Sequence, residues 1–370
     1  MEIKRIESLR VGIPFETGGP RQGMRPGLTE WRTIEALILR IETADGRVGW
    51  GEGFGHFVNP ATDAVIGSLL GPWFLGRDSG AVATLMDEAN RSFFGFGRNG
   101  PVQYALSAFD IALWDLAAKR AVQPLFRLLG GVDGTLARYA SLMRYGGDTE
   151  AIRARCRSAA EAGYRMIKLH ERALPAFMAA RESVGPEVEI TVDVNCPWTV
   201  AEAREVARSM KGRGFRWLEE PVWPPDDFAG LARVREAGVA VAAGENITTV
   251  HEFRRCLEAG AVDVLQPSVA KIGGVSPMLE VLELARISAV PVVPHSFYWG
   301  PAYLASAHVA ASLPEPPLIE TTFIELERKP YAGFDPMSAA LDLDETPGLG
   351  FDLDEETLDK YLLSRTVIAE

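Results

Sequence analysis

Cysteine is scarce in this chain. Cys156, Cys196 and Cys256 are the only three and no CxxC spacing joins them, so neither a disulfide framework nor a thiolate zinc site is indicated. That usage fits a reducing compartment. Positive charge is also short, with 38 Lys and Arg against 50 Asp and Glu and a formal net charge of -12. Neutralising a nucleic-acid backbone needs a concentrated basic surface, so no nucleic-acid partner is expected. No apolar run approaches the roughly 18 residues of a membrane span, and the opening MEIKRIESLRVGIPF lacks the apolar core of a secretion signal. The expectation is a cytoplasmic protein with no membrane partner. A GxGxxG following an early strand is missing too, which argues against nicotinamide or flavin chemistry.

What is present is a globular composition, 47% hydrophobic and 24% charged over 370 residues, a length that suits a barrel plus a smaller companion. Residues 1–125 begin with strand-like stretches, including ALILRIETADGRVGWGEG with a hairpin signal at Asp45-Gly46. Helical patterns follow. In PVQYALSAFDIALWDLAAKR, Ala105, Ala108, Ile111, Ala112 and Leu116 recur at helical spacing, so an α+β domain is expected here.

Over residues 126–325 short apolar runs alternate with helical stretches, the signature of βα units and a parallel sheet. LARYASL, YRMIKLH, VEITVDV, FRWLEE, VAVAAGE, VDVLQP, VPVVPH and PLIE supply eight strands, the number a barrel requires. Thr199 with Glu202 and Thr249 with Glu252 have capping-box spacing, and Ser276-Pro277 reads as a first helical turn. Residues 326–370 read as loops ending in a short helical pattern, expected to pack back on the first domain.

A barrel builds its active site at the C-terminal ends of its strands. Those ends are polar here: Lys168 and His170, Asp193 and Asn195, Glu219, Glu245, Ser268, His295, and Glu320. Successive positions fall roughly 25 residues apart, one strand, one helix and two loops. Three carboxylates converging from neighbouring strands repel unless they hold protons or share a cation, and an all-oxygen set suits Mg2+ better than zinc. The dipeptide Glu219-Glu220 leaves two candidates for the middle ligand. Lys168 and His170, two apart on one strand, point to the same side and form the first candidate base.

Asp193-Val-Asn195, Glu219-Glu220-Pro221, Gly244-Glu245-Asn246 and Lys271-Ile-Gly-Gly274 resemble the enolase superfamily in its mandelate racemase-like branch. The helix SAFDIALWDLAAK, the LLGG ending at Gly131 and the PGLG near Gly350 extend the likeness over nearly the whole chain. The resemblance implies an α/β fold, a modified TIM barrel (β/α)7β with an N-terminal α+β capping domain. It also implies Mg2+ held by Asp193, Glu219 and Glu245, with the first glutamate of the EEP triplet as ligand, and a homo-oligomer.

The family's KxK becomes KLH here, so by position His170 is the base and Lys168 its electrostatic partner. His295 takes the place of a second acid/base on the opposite side of the substrate. Its usual aspartate partner is replaced by Ser268, which can orient the ring by a hydrogen bond but cannot stabilise an imidazolium as a carboxylate does. Glu320 resembles the glutamate that meets the substrate carboxylate as a protonated donor. Lys271 reads as structural or as a support for the groups that meet the substrate, and His251 and His308 as surface or packing residues. FETGGPRQGMRPGLTEW is the expected lid, offering Arg21, Arg25 and Trp31, while His56 belongs to a second capping loop; with Asn195 these are candidates for substrate contact.

The expected reaction is removal of the proton alpha to a carboxylate, and most specifically dehydration of an acid sugar. Racemisation or epimerisation is the rival reading. A barrel that binds metal and ligand without turnover is the reading from another class.

Overall fold

The computed structural model describes residues 1–23 and 30–369. The capping part is an antiparallel sheet of β1 (Ile3–Glu16), β2 (Thr33–Thr43) and β3 (Val48–Gly53), in which β2 pairs with both neighbours. The expected turn is there: Gly46 adopts φ 81° and its N–H reaches the Thr43 carbonyl at 2.8 Å. β3 is glycine-rich for a packing reason. A Cβ on Gly51 would lie 1.9 Å from the Ala108 carbonyl oxygen, so only a bare strand lets the helix Pro101–Arg120 settle this close. The predicted face of that helix, Ala105, Ala108, Ile111, Ala112 and Leu116, is fully buried. Ser107, Asp110 and Asp115 are buried as well, because the helix lies between the sheet and the barrel.

The barrel strands are β4 (Thr135–Ser141), β5 (Met166–Leu169), β6 (Glu189–Asp193), β7 (Phe215–Glu219), β8 (Val241–Ala243), β9 (Val264–Leu265) and β10 (Ile319–Thr322). They run parallel from β4 to β9, and β10 pairs with the other edge of β4. Period-2 alternation stacks their inward residues in layers. Tyr139, Met166, Trp217, Ala242 and Val264 cluster as an apolar layer; Lys168, Glu219 and Gln266, each two residues further along a strand, form the polar layer above it. Both capping boxes are formed, at Thr199/Glu202 and at Thr249/Glu252.

Two expectations need correction. VPVVPH is not a regular strand: one isolated bridge, Val292 with Leu265, and a hydrogen bond from His295 N–H to the Pro267 carbonyl at 3.1 Å hold its place, because Pro291 and Pro294 have no N–H for a ladder. The tail does contain a helix, Glu355–Tyr361, but then extends into a strand. In order, the segment holds β11 (Glu325–Leu326), β12 (Ala340–Asp342) and β13 (Leu362–Ala369). β12 lies antiparallel on barrel strand β4, and β13 lies along β1, with Arg5 opposite Ala369.

Buried carboxylates join the two parts. Asp110 accepts the Ser276 N–H at 3.0 Å and the Ser276 hydroxyl, at the start of the barrel helix Val275–Ile287. Asp115 accepts Trp50 N–H at 2.8 Å and Leu349 N–H at 2.7 Å, tying cap to tail. Glu52 accepts Ala302 N–H at 2.9 Å at the start of the helix Pro301–Ala311, where a negative charge suits the helix dipole. Burial nonetheless pushes its carboxyl up to about 8. Among the described residues no helix is long and apolar enough to cross a membrane.

Candidate active site

The polar layer of the barrel forms the floor of a cavity. Lys168, wholly buried, sets its ammonium 3.0 Å from Glu219, 2.7 Å from Glu320 and 3.6 Å from Asp193. Burial alone would lower its pKa, but Glu219 and Glu320 more than offset that and hold it charged. Glu219 also accepts from Gln266 Nε2 at 2.9 Å and Trp217 Nε1 at 3.2 Å. Glu220, turned left-handed at φ 46°, leaves the floor and holds Asn246 Nδ2 with both oxygens at 2.9 and 2.8 Å. His56, Asn195 and Cys196 are left-handed too, and of these His56 and Asn195 line the cavity.

Two imidazoles flank the floor. His170 Nδ1 lies 2.5 Å from the Leu142 carbonyl, which can only accept, so that nitrogen carries the hydrogen. Nε2 then faces Asp193 Oδ2 at 3.3 Å. Burial pulls this histidine's pKa down, but the contact with Asp193 outweighs it and the pKa is raised. On the other side His295 Nδ1 sits 3.0 Å from Glu245 and 3.1 Å from Glu320. Burial opposes its charge, yet Glu245 and Glu320 lift its pKa to about 9.

Five buried carboxylates, Asp193, Glu219, Glu220, Glu245 and Glu320, thus surround two buried ammonium groups, Lys168 and Lys271. The imbalance shows in the protonation. Burial pushes Glu219 to about 7 and Glu220 to about 8. Donor atoms of Glu219, Glu245 and His295 all lie within 4.8 Å of one another, a group able to hold a metal ion. Asp193 stands one strand over, paired in register with Glu219. Its Oδ2, like Glu320 Oε1, is buried and has no aligned hydrogen-bond donor. Hard oxygen donors, crowded, buried and short of protein cations, fit a divalent ion such as Mg2+.

Above the floor the cavity measures about 330 Å³, and a cluster of aromatic rings lines part of its wall. Trp31 meets His56 edge-on at 5.0 Å between centroids and lies 6.0 Å from Phe297; Phe54 meets His56 at 5.2 Å and Tyr104 at 5.0 Å. Burial, then the charges of Lys271 and His295, hold His56 near pKa 3, so it is a neutral ring. Asn195 lines the wall while its amide donates to Asp193 Oδ1 at 2.9 Å.

Several expected placements change. The Ser268 hydroxyl is hydrogen-bonded to the Tyr298 hydroxyl and not to the His295 ring. Glu320 is not held as a protonated donor: against the cost of burial, Lys168 and His295 keep it far below the usual carboxylate range, and it accepts Ser296 N–H at 3.1 Å. Lys271, expected to be structural or supporting, does contact Glu245 at 3.5 Å but also lines the cavity itself, with its ammonium 4.1 Å from the Phe54 ring centre. Arg21 pairs with Glu16, and Arg25 lies outside the described residues. His308, by contrast, is the packing residue expected, accepting Phe126 N–H at 3.1 Å. Sequence reading passed over Thr17, Gln22, Phe54, Tyr104, Met143, Arg144 and Phe297, which also line the cavity. For Arg144 and Phe297 a signal existed, since each lies a few residues beyond a barrel strand position.

A cap over a parallel barrel, with acidic groups and imidazoles at the strand ends, defines a class of two-domain barrel enzymes. Residues 151–357 match the family described as enolase C-terminal domain-like, and residues 20–130 match the mandelate racemase / muconate lactonizing enzyme N-terminal domain. The chain belongs to this mandelate racemase/muconate lactonizing enzyme-like family of the enolase superfamily. It is 30% identical over 353 residues to arabinonate dehydratase of Saccharolobus solfataricus, covering 90% of this chain and 92% of that one. It is 32% identical over 375 residues to 3,6-anhydro-alpha-L-galactonate cycloisomerase of Streptomyces coelicolor, covering 97% and 98%. Among solved structures, a racemase from Streptomyces coelicolor with bound magnesium superposes with a TM-score of 0.86 at 28% identity, covering 98% of this chain and 100% of that one.

Proposed function

We propose that this protein is a magnesium-dependent hydro-lyase that dehydrates an acid sugar by first removing the proton alpha to its carboxylate. The observation that carries the reading is the pair of imidazoles, His170 and His295, flanking a crowded carboxylate floor that carries one deeply buried lysine. Asp193, Glu219 and Glu245 would hold the ion. Bound there, magnesium would supply Lewis-acid stabilisation for the second negative charge on the substrate carboxylate and relieve the pull of Asp193 on His170.

The protein's own groups perform the rest. Lys168, buried beneath the cavity and shared by Glu219, Glu320 and Asp193, acts as the electrostatic partner of His170, its fixed positive charge disfavouring a proton on that ring. His170, with its hydrogen fixed on Nδ1 by Leu142, presents Nε2 to take the alpha proton. The electron pair left behind forms the double bond as the beta C–O bond breaks, and His295 delivers the proton that turns the departing hydroxyl into water. The enol then becomes a 2-keto-3-deoxy acid. Glu320 anchors both Lys168 and His295, and Asn195 and His56 shape the wall against the substrate.

Racemisation is the second reading, since one structural neighbour is a racemase. It needs competent bases on both faces, and the Ser268–Tyr298 pairing leaves His295 without support from that strand. Incubation in D2O with magnesium separates the two: a dehydratase yields a semicarbazide-reactive keto acid, whereas a racemase returns inverted, deuterated substrate. Retention of activity in a His170→Ala, His295→Ala double variant overturns the assignment. A cytoplasmic homo-oligomer is proposed on family likeness, with light scattering to test the assembly.

A further inference from the structure

We infer that Arg144 receives a second, distal carboxylate, so that the preferred substrates are sugar diacids over the corresponding monoacids. This deepens the reading above and rests on it. Arg144 lines the cavity, and its Nε is buried without a hydrogen-bond partner. The carboxylate whose charge it influences, Glu171, is otherwise engaged, accepting Tyr145 N–H at 2.6 Å and Gly147 N–H at 2.9 Å. A buried Nε–H without an acceptor is costly, and a ligand acceptor removes that cost. Its planar fork of donors matches a carboxylate with two parallel hydrogen bonds.

Among the described residues, the lysines at the cavity are committed. Lys168 is shared among Asp193, Glu219 and Glu320, and Lys271 serves Glu245, Asn246 and the Phe54 ring. The α-carboxylate of the substrate belongs to the floor, so Arg144 remains for the far end. It is well placed: the carbonyl of Leu142, two residues earlier, orients His170, so the loop after β4 both holds the base and carries the guanidinium. That loop is set before substrate arrives. Glu171 clamps it from below, and Tyr145 Oη donates to the Thr17 carbonyl at 3.1 Å from the lid side. A prearranged cation loses less on binding. One guanidinium suits a carboxylate better than a phosphate dianion, which draws several donors or a helix N-terminus.

The experiment compares gluconate with glucarate and galactonate with galactarate as substrates of the magnesium-loaded enzyme, reading kcat/KM for keto-acid release. The wild type should favour the diacid of each configuration it accepts by at least about 10-fold. Arg144→Gln should lower the diacid-to-monoacid ratio on the order of 100-fold, mainly through KM, and Arg144→Lys should fall between, keeping charge without the fork. A wild type that prefers monoacids or 6-phosphogluconate, or an unchanged ratio in an Arg144→Gln protein with native circular dichroism, overturns the inference. Deuterium exchange at the alpha carbon distinguishes the two levels. Exchange with the wrong preference sinks the role of Arg144 alone; no exchange with any acid sinks the catalytic reading and this inference together.

Discussion

Below the cavity, Lys168, Asp193, Glu219 and Glu320 are fully buried and bonded to one another; above it, Trp31, Phe54, His56 and Phe297 meet as rings with few polar contacts. The floor is fixed by the barrel ladder, because each of its groups sits at or beside a strand end whose register is set by hydrogen bonds to its neighbours. The roof is assembled from separate loops that no ladder controls. The floor spends stability on concentrated charge that only a cation balances, whereas the roof gains it by apolar burial and excludes water. Chemistry therefore belongs to the rigid half and selection to the half that can vary.

Changes to each half should separate these roles. Replacing His170 with Ala should lower alpha-proton exchange by about 1,000-fold, the scale of a lost general base, with little change in Tm. Glu219→Gln should weaken magnesium binding, read by calorimetry, by at least about 100-fold, and Glu220→Gln by less than about 10-fold. The opposite order would move the ligand to Glu220 and break the account of the floor. In the roof, Trp31→Ala should raise KM by about 10-fold while exchange chemistry persists, as expected when one set of ring contacts is lost. A fall in exchange rate as large as that of His170→Ala would erase the distinction between the halves.

The smallest expected effect lies at the join between the parts. Burial raises the Glu52 carboxyl from 4.5 to about 8, so between those values the folded chain holds this proton more tightly than the unfolded chain. The resulting stability is complete below about pH 4.5 and is lost as pH rises through 8. Glu52→Gln should flatten that part of the Tm-against-pH curve by a few degrees. An unaltered slope would show that the join does not titrate.

Legibility in the sequence follows the same division. Lys168, Asp193, Glu219, Glu245, His295 and Glu320 could be placed because alternation along a strand and the βα period fix direction and order. The buried face of Pro101–Arg120 and both capping boxes were legible for similar local reasons. Partnerships across the fold were not. That Ser268 would turn to Tyr298, thirty residues away, depends on how the seventh strand position is laid down, and there the apolar run reads as a regular strand although its prolines prevent one. Arg144 escaped notice because an arginine in a loop looks like solvated charge until a cavity forms beside it.

The pairing of β13 with β1 sets Arg5 against Ala369. On a ribosome, the first long strand emerges with one flank open, and the segment that seals it is made only after the entire barrel. For most of synthesis that flank is a free template for mispairing between nascent chains. The cap, although encoded first, is thus completed last.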